Sequence, residues 1–119
     1  MSQDSPRLTR LIACSAVPEG CAVQVEIEGR APLAVYRLED GYYVTDDTCS
    51  HGEASLADGE VLANGEVECP FHGGSFDIRT GEARKYPCTV SIAVYPVSIV
   101  DGEVWAELEP ARHLENNKE

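Results

Sequence analysis

An all-β fold, an antiparallel β-sandwich or small barrel, is predicted by three observations. Short apolar or alternating runs follow one another along most of the chain. Turn signals containing glycine separate them at close intervals, and only residues 53–59, EASLADG, read as a helical turn. Many short strands joined by tight turns bury their apolar faces best by packing sheet on sheet.

Taken in order, residues 21–29 alternate, with Val23, Val25 and Ile27 opposing Ala22, Gln24 and Glu26, as a half-buried strand does. Residues 32–38 and 42–45 flank Glu39-Asp40-Gly41, a hairpin signal. Short strands over 59–62 and 65–69 flank Ala63-Asn64-Gly65. Residues 75–78 and 82–86 flank Arg79-Thr80-Gly81. The run 90–100, VSIAVYPVSIV, is expected to pair with 103–108 across Asp101-Gly102. A chain of 119 residues is long enough for one core and too short for two, so 1–119 is read as a single domain. Its polar ends, roughly 1–7 and 110–119, are expected to be loose.

Hydrophobic residues at 43% and charged residues at 25% are ordinary for a soluble globular protein. The formal charge of −12 is not ordinary, and it argues against nucleic acid and anionic membrane surfaces as partners. It suits high solubility alone or partners with basic patches. The N-terminal MSQDSPRLTR lacks the apolar run of a signal peptide, and 90–100 is too short to span a bilayer and is broken by Pro96. A cytoplasmic location is expected. Cys14, Cys21 and Cys88, three cysteines at irregular spacing, look like reduced small apolar residues rather than a disulfide framework.

Chemistry concentrates in residues 49–74. Cys49-Ser-His51 and Cys69-Pro-Phe-His72 stand at the ends of two predicted strands, each in a glycine-rich loop. Either spacing lets a Cys and a His converge on one side of a loop. Gly52, Gly73 and Gly74 permit positive φ and close backbone approach, so amide N–H groups can face an anionic centre. Chance proximity of four such residues is the weakest explanation. Structural zinc fits poorly, because zinc fingers pair C-x₂₋₄-C with H-x₃₋₅-H rather than mixing the two. A Cys–His catalytic dyad needs one pair and an oxyanion site, and none is evident. A [2Fe–2S] cluster with two cysteines on one iron and two histidines on the other accounts for all four.

Cys49-Ser-His51, seventeen residues, then Cys69-Pro-Phe-His72-Gly-Gly resembles the Rieske motif. The resemblance extends to the VPEG turn at 17–20, the SFD at 75–77 and RTGEARKYP at 79–87. It is greatest to the ferredoxins of multicomponent aromatic-ring-hydroxylating dioxygenases. The resemblance implies cluster-binding loops at about 46–54 and 69–76. Cys49 and Cys69 would hold a buried iron, with His51 and His72 on the outer one. Gly52, Gly73, Gly74, Phe71, Phe76 and Pro87 would surround the cluster. Two thiolates and two sulfides around two ferric ions make a neutral oxidised centre, so adding an electron is easier than for an all-Cys cluster. The added electron should settle on the histidine-bound iron.

No nucleotide fingerprint and no mononuclear-iron triad accompany the motif, and the four ligands leave no open coordination position. The resemblance therefore implies an electron carrier rather than an enzyme. Its partners would be an NAD(P)H-dependent flavin reductase and a terminal oxygenase, and it would act as a monomer. Respiratory Rieske subunits carry an extra cysteine in each ligand loop and a membrane anchor; here those positions correspond to Ala54 and Phe71. High-potential members carry Ser and Tyr two and four residues after the second ligand histidine. Gly74 and Phe76 stand there, which implies a low potential, and Ser75 is expected to face elsewhere. The alternative function is a redox-sensing or structural module, such as a nitrite reductase small subunit. The aromatic substrate is not legible.

Overall fold

The computed structural model describes residues 8–49, 54–70, 73–86 and 88–108. Eleven strands occur in them, arranged in three antiparallel sheets. The predicted all-β class is what the chain adopts.

The middle sheet explains the others. It comprises β2 (Cys21–Val25), β3 (Leu33–Leu38), β4 (Gly41–Asp46) and β9 (Val94–Tyr95), paired in the order β2-β3-β4-β9. Side chains alternate across a strand, so β3 sends Leu33 and Val35 to one face and Ala34, Tyr36 and Leu38 to the other. Five of its six residues are buried because both faces are covered. This is why 33–38 reads as an almost unbroken apolar run rather than an alternating one.

On one face, Leu33, Val35 and Val44 pack with Leu11, Val17, Val104 and Ala106 in an aliphatic core. The latter come mainly from a sheet of β1 (Leu8–Ala13), β11 (Glu103–Glu107) and β10 (Val97–Val100), ordered β1-β11-β10. On the opposite face, Ala34, Tyr36 and Leu38 meet Leu56, Val67, Phe76, Ile78 and the cysteines Cys49, Cys69 and Cys88. This second core is roofed by β5 (Glu60–Val61), β6 (Glu66–Glu68), β7 (Ser75–Asp77) and β8 (Ala83–Lys85).

Three expectations change. The run 90–100 is not one strand. Pro96 has no N–H to give a ladder, and the chain divides there: Val94–Tyr95 pairs with β4, while Val97–Val100 pairs with β11. Strand β2 ends at Val25, short of the predicted 21–29, and Ala22 packs on the second core. Strand β1 escaped the sequence reading. Its pairing with β11 shifts register between Arg10 and Ile12, and such a bulge interrupts the alternation that reveals a strand. The turns hold up better. Asp101 and Gly102, with φ of 51° and 78°, form the two-residue link between β10 and β11, both in the left-handed region that such hairpins require.

Candidate metal centre

Both cysteines of the motif lie at strand ends on the second core. Cys49 follows β4 and is 1% exposed; Cys69 follows β6 and is 2% exposed. The β5–β6 hairpin carries the chain from the first loop to the second, as the sequence reading expects. His51, His72, Gly52, Phe71 and Pro87 lie outside the described residues, as does the third histidine, His113.

The first loop is closed at its base by main chain and one carboxylate. Cys49 N–H donates to the Ala54 carbonyl at 2.9 Å, and Leu56 N–H to the Asp47 carbonyl at 2.7 Å. Thr48 and Ser55 form an isolated bridge between them. Asp47, 1% exposed, accepts from Gln24 Nε2 at 2.8 Å and from Ala57 N–H at 2.9 Å. A buried carboxylate satisfied on both oxygens ties β2, β4 and the 3-10 turn Leu56–Asp58 into one base. Sequence reasoning passed over Asp47; as one acid among twenty-one, it carried no signal of burial.

The second loop is closed differently. Cys69 N–H donates to the Gly74 carbonyl at 2.7 Å, and Gly73 N–H to the Cys69 carbonyl at 3.2 Å. Gly73 has φ +79°, the left-handed conformation predicted for it. Gly74 is needed for space. A Cβ there would lie 2.5 Å from Cys88 Sγ and 2.9 Å from both the Cys88 nitrogen and the Lys85 carbonyl oxygen. Phe76 is fully buried in the same core, and Ser75 does turn away, its hydroxyl donating to Glu66 Oε1 at 2.8 Å.

A third cysteine enters the site. Cys88, on the connection between β8 and β9, is 4% exposed, and its Sγ lies 3.9 Å from Cys49 Sγ. Burial pushes its thiol up to about 12, helped by the neighbouring Cys49 and Cys69. None of the five cysteines forms a disulfide; Cys21 is exposed and Cys14 half-buried, so those two are not part of this group. The expectation that Cys88 is only a small apolar core residue therefore needs extending: it is core, and it touches the site.

Two buried thiols at the bases of adjacent loops form a soft donor set suited to iron–sulfur binding. Comparison with known proteins agrees. The Rieske [2Fe-2S] domain model matches residues 8–96. The chain belongs to the Rieske family. Its cofactor is one Rieske-type [2Fe–2S] cluster, and the buried cysteine donors fit such a group. This Rieske chain is 46% identical to ferredoxin CarAc of Metapseudomonas resinovorans, over 81% of its own length and 89% of the relative's. It is 42% identical to the ferredoxin component of the naphthalene 1,2-dioxygenase system of Pseudomonas aeruginosa, covering 82% of this chain and 91% of that one. A ferredoxin solved in complex with the oxygenase of carbazole 1,9a-dioxygenase superposes with a TM-score of 0.79 at 43% identity, covering 84% and 92%.

Among the described residues, no helix is long and apolar enough to cross a membrane.

Proposed function

We propose that this Rieske protein, as a single domain over 1–119, is the one-electron carrier of an aromatic-ring-hydroxylating dioxygenase system. Cys49 and Cys69 hold the inner iron, and His51 and His72 the outer one. An NAD(P)H-dependent flavin reductase supplies the electron, and a terminal oxygenase receives it. The electron-carrier role itself is that of its ferredoxin relatives, among them the ferredoxin component of a naphthalene 1,2-dioxygenase system. One observation supports the cysteine half of this ligand set: Cys49 and Cys69 are both buried at the bases of two loops that the β5–β6 hairpin joins.

When bound, the cluster supplies storage for one electron. The chain's own residues do the rest. Burial of Cys49 and Cys69 keeps water from the inner ligands, while ordered loop bases hold the ligand geometry nearly constant between oxidation states. The histidine-bound side of the cluster is the point of contact with both partners. The connection that carries Cys88 presents Tyr86, 82% exposed, an aromatic of the kind enriched at protein interfaces. The charge of −12 steers the carrier toward basic patches. Thiols without disulfides suit a reducing cytoplasm. The carrier works as a monomer, free to visit two partners in turn.

The test is reconstitution with a flavin reductase, NADH and an oxygenase. The purified protein should contain two irons and two labile sulfides, give the low-average-g signal of a reduced Rieske centre, and cycle with every turnover. Its reduction by the flavoprotein should slow as salt is raised, since surface charge is screened beyond about 8–10 Å. Colourless protein binding a single zinc would refute the reading, and salt-independent rates would reduce the charge to a solubility feature.

A further inference from the structure

Among the described residues, three near the ligand sulfurs offer them no side-chain donor. Gly74 has none, Phe76 has none, and the Ser75 hydroxyl is committed to Glu66. Cys88 is different. Its Sγ lies 3.9 Å from Cys49 Sγ, within reach of a hydrogen bond to sulfur, and it is almost wholly removed from water. Its position is secured from two sides. Cys88 N–H donates to the Lys85 carbonyl at 3.0 Å, and the thiol fills the space that a side chain at 74 would take. Gly74 and Cys88 are thus a matched pair, one vacating what the other occupies.

We propose that the Cys88 thiol donates a hydrogen bond to the sulfur of Cys49 and thereby sets the reduction potential of the centre. The inference rests on the reading that Cys49 is a ligand. Between two thiols either sulfur can donate. Once Cys49 binds iron it has given up its proton, and only Cys88 retains one. Reduction adds negative charge that is shared with the ligand sulfurs, so a donor there stabilises the reduced form more than the oxidised. In a buried site no solvent competes for the bond, which strengthens it. Cys88 is a positioning and tuning residue: it touches a ligand and does not itself bind the metal.

The experiment is redox titration of the loaded protein and its Cys88→Ala and Cys88→Ser variants, followed by EPR. Pulsed EPR after exchange into D₂O reports the bonded proton directly. Cys88→Ala should keep the Rieske signal, lose one exchangeable-proton coupling, and lower the equilibrium constant for reduction about fivefold, or about 40 mV at 59 mV per decade. Cys88→Ser keeps a donor and should hold both the coupling and a potential above that of the alanine variant. An unchanged potential and coupling in Cys88→Ala would overturn the proposal. A parent signal of the cysteine-rich type that Cys88→Ala abolishes would do so too, since Cys88 would then be a ligand. If the alanine variant fails to load, the serine variant decides: loaded with the coupling intact supports the bond, and failure to load refutes it. Failure of the underlying ligand reading looks different, because a Cys49→Ser variant would then retain a normal cluster.

Discussion

The two loops proposed to carry the ligands are built by opposite means. The first is tied from outside by a buried carboxylate that reaches two other elements, Gln24 on β2 and Ala57 in the 3-10 turn. The second is shaped from within, by a glycine that bends the chain and another that leaves room for Cys88. A polar anchor fails when a bond is removed. A glycine loop fails when an atom is added. The two loops should therefore be sensitive to opposite kinds of substitution.

The largest effect should not distinguish them. Cys49→Ser in the first loop and Cys69→Ser in the second should each abolish or severely weaken cluster assembly, seen as lost colour and iron in protein that still gives a β-sheet circular dichroism spectrum. If one variant loads normally, its loop does not hold the cluster as assigned.

Below that, deletion should harm the first loop. Asp47→Ala removes two charge-assisted hydrogen bonds and strands the Ala57 N–H, a loss of about 3 kcal/mol in denaturant unfolding. Asp47→Asn, which can still accept one of the two, should lose about half as much. Equal stability of Asp47→Ala and the parent would show that the carboxylate is not the tie.

Addition should harm the second. Gly74→Ser must displace either Cys88 or backbone at Lys85, an overpacking cost of about 2 kcal/mol. This bears on the comparison with high-potential members, in which Ser and Tyr stand where this chain has Gly74 and Phe76. The space a serine needs is already held by a thiol, so Gly74→Ser exchanges one donor for another and should raise the potential little unless Cys88 is also made smaller. Potentiometry on Gly74→Ser with and without Cys88→Ala separates the cases; a large rise in the single variant would mean that Cys88 moves aside freely.

The smallest effect belongs to Gly73→Ala. Its nearest neighbour is Glu68 Oε2 at 3.9 Å, so a methyl fits, and only the left-handed φ opposes it. About 1 kcal/mol is expected, a few degrees in melting temperature. A loss as large as that of Gly74→Ser would mean that strain, rather than space, governs this loop.

By itself the sequence determined the family, the cofactor and the all-β class. Cys49 with His51, and Cys69 with His72, form two closely spaced pairs, and the motif they make depends on residue type and local spacing, both of which a linear string records. Most hairpins were legible for the same reason, since Glu39-Asp40 and Asp101-Gly102 act on their immediate neighbours. What tertiary structure alone decided involves residues far apart in the chain. Strand β3 is covered on both faces, Pro96 divides one apolar run between two sheets, and Asp47 is buried against Gln24, twenty-three positions away. The meeting of Cys88 with Cys49 spans thirty-nine positions. No local pattern encodes such a contact, because it is created by the stacking of sheets whose packing depends on all their side chains together.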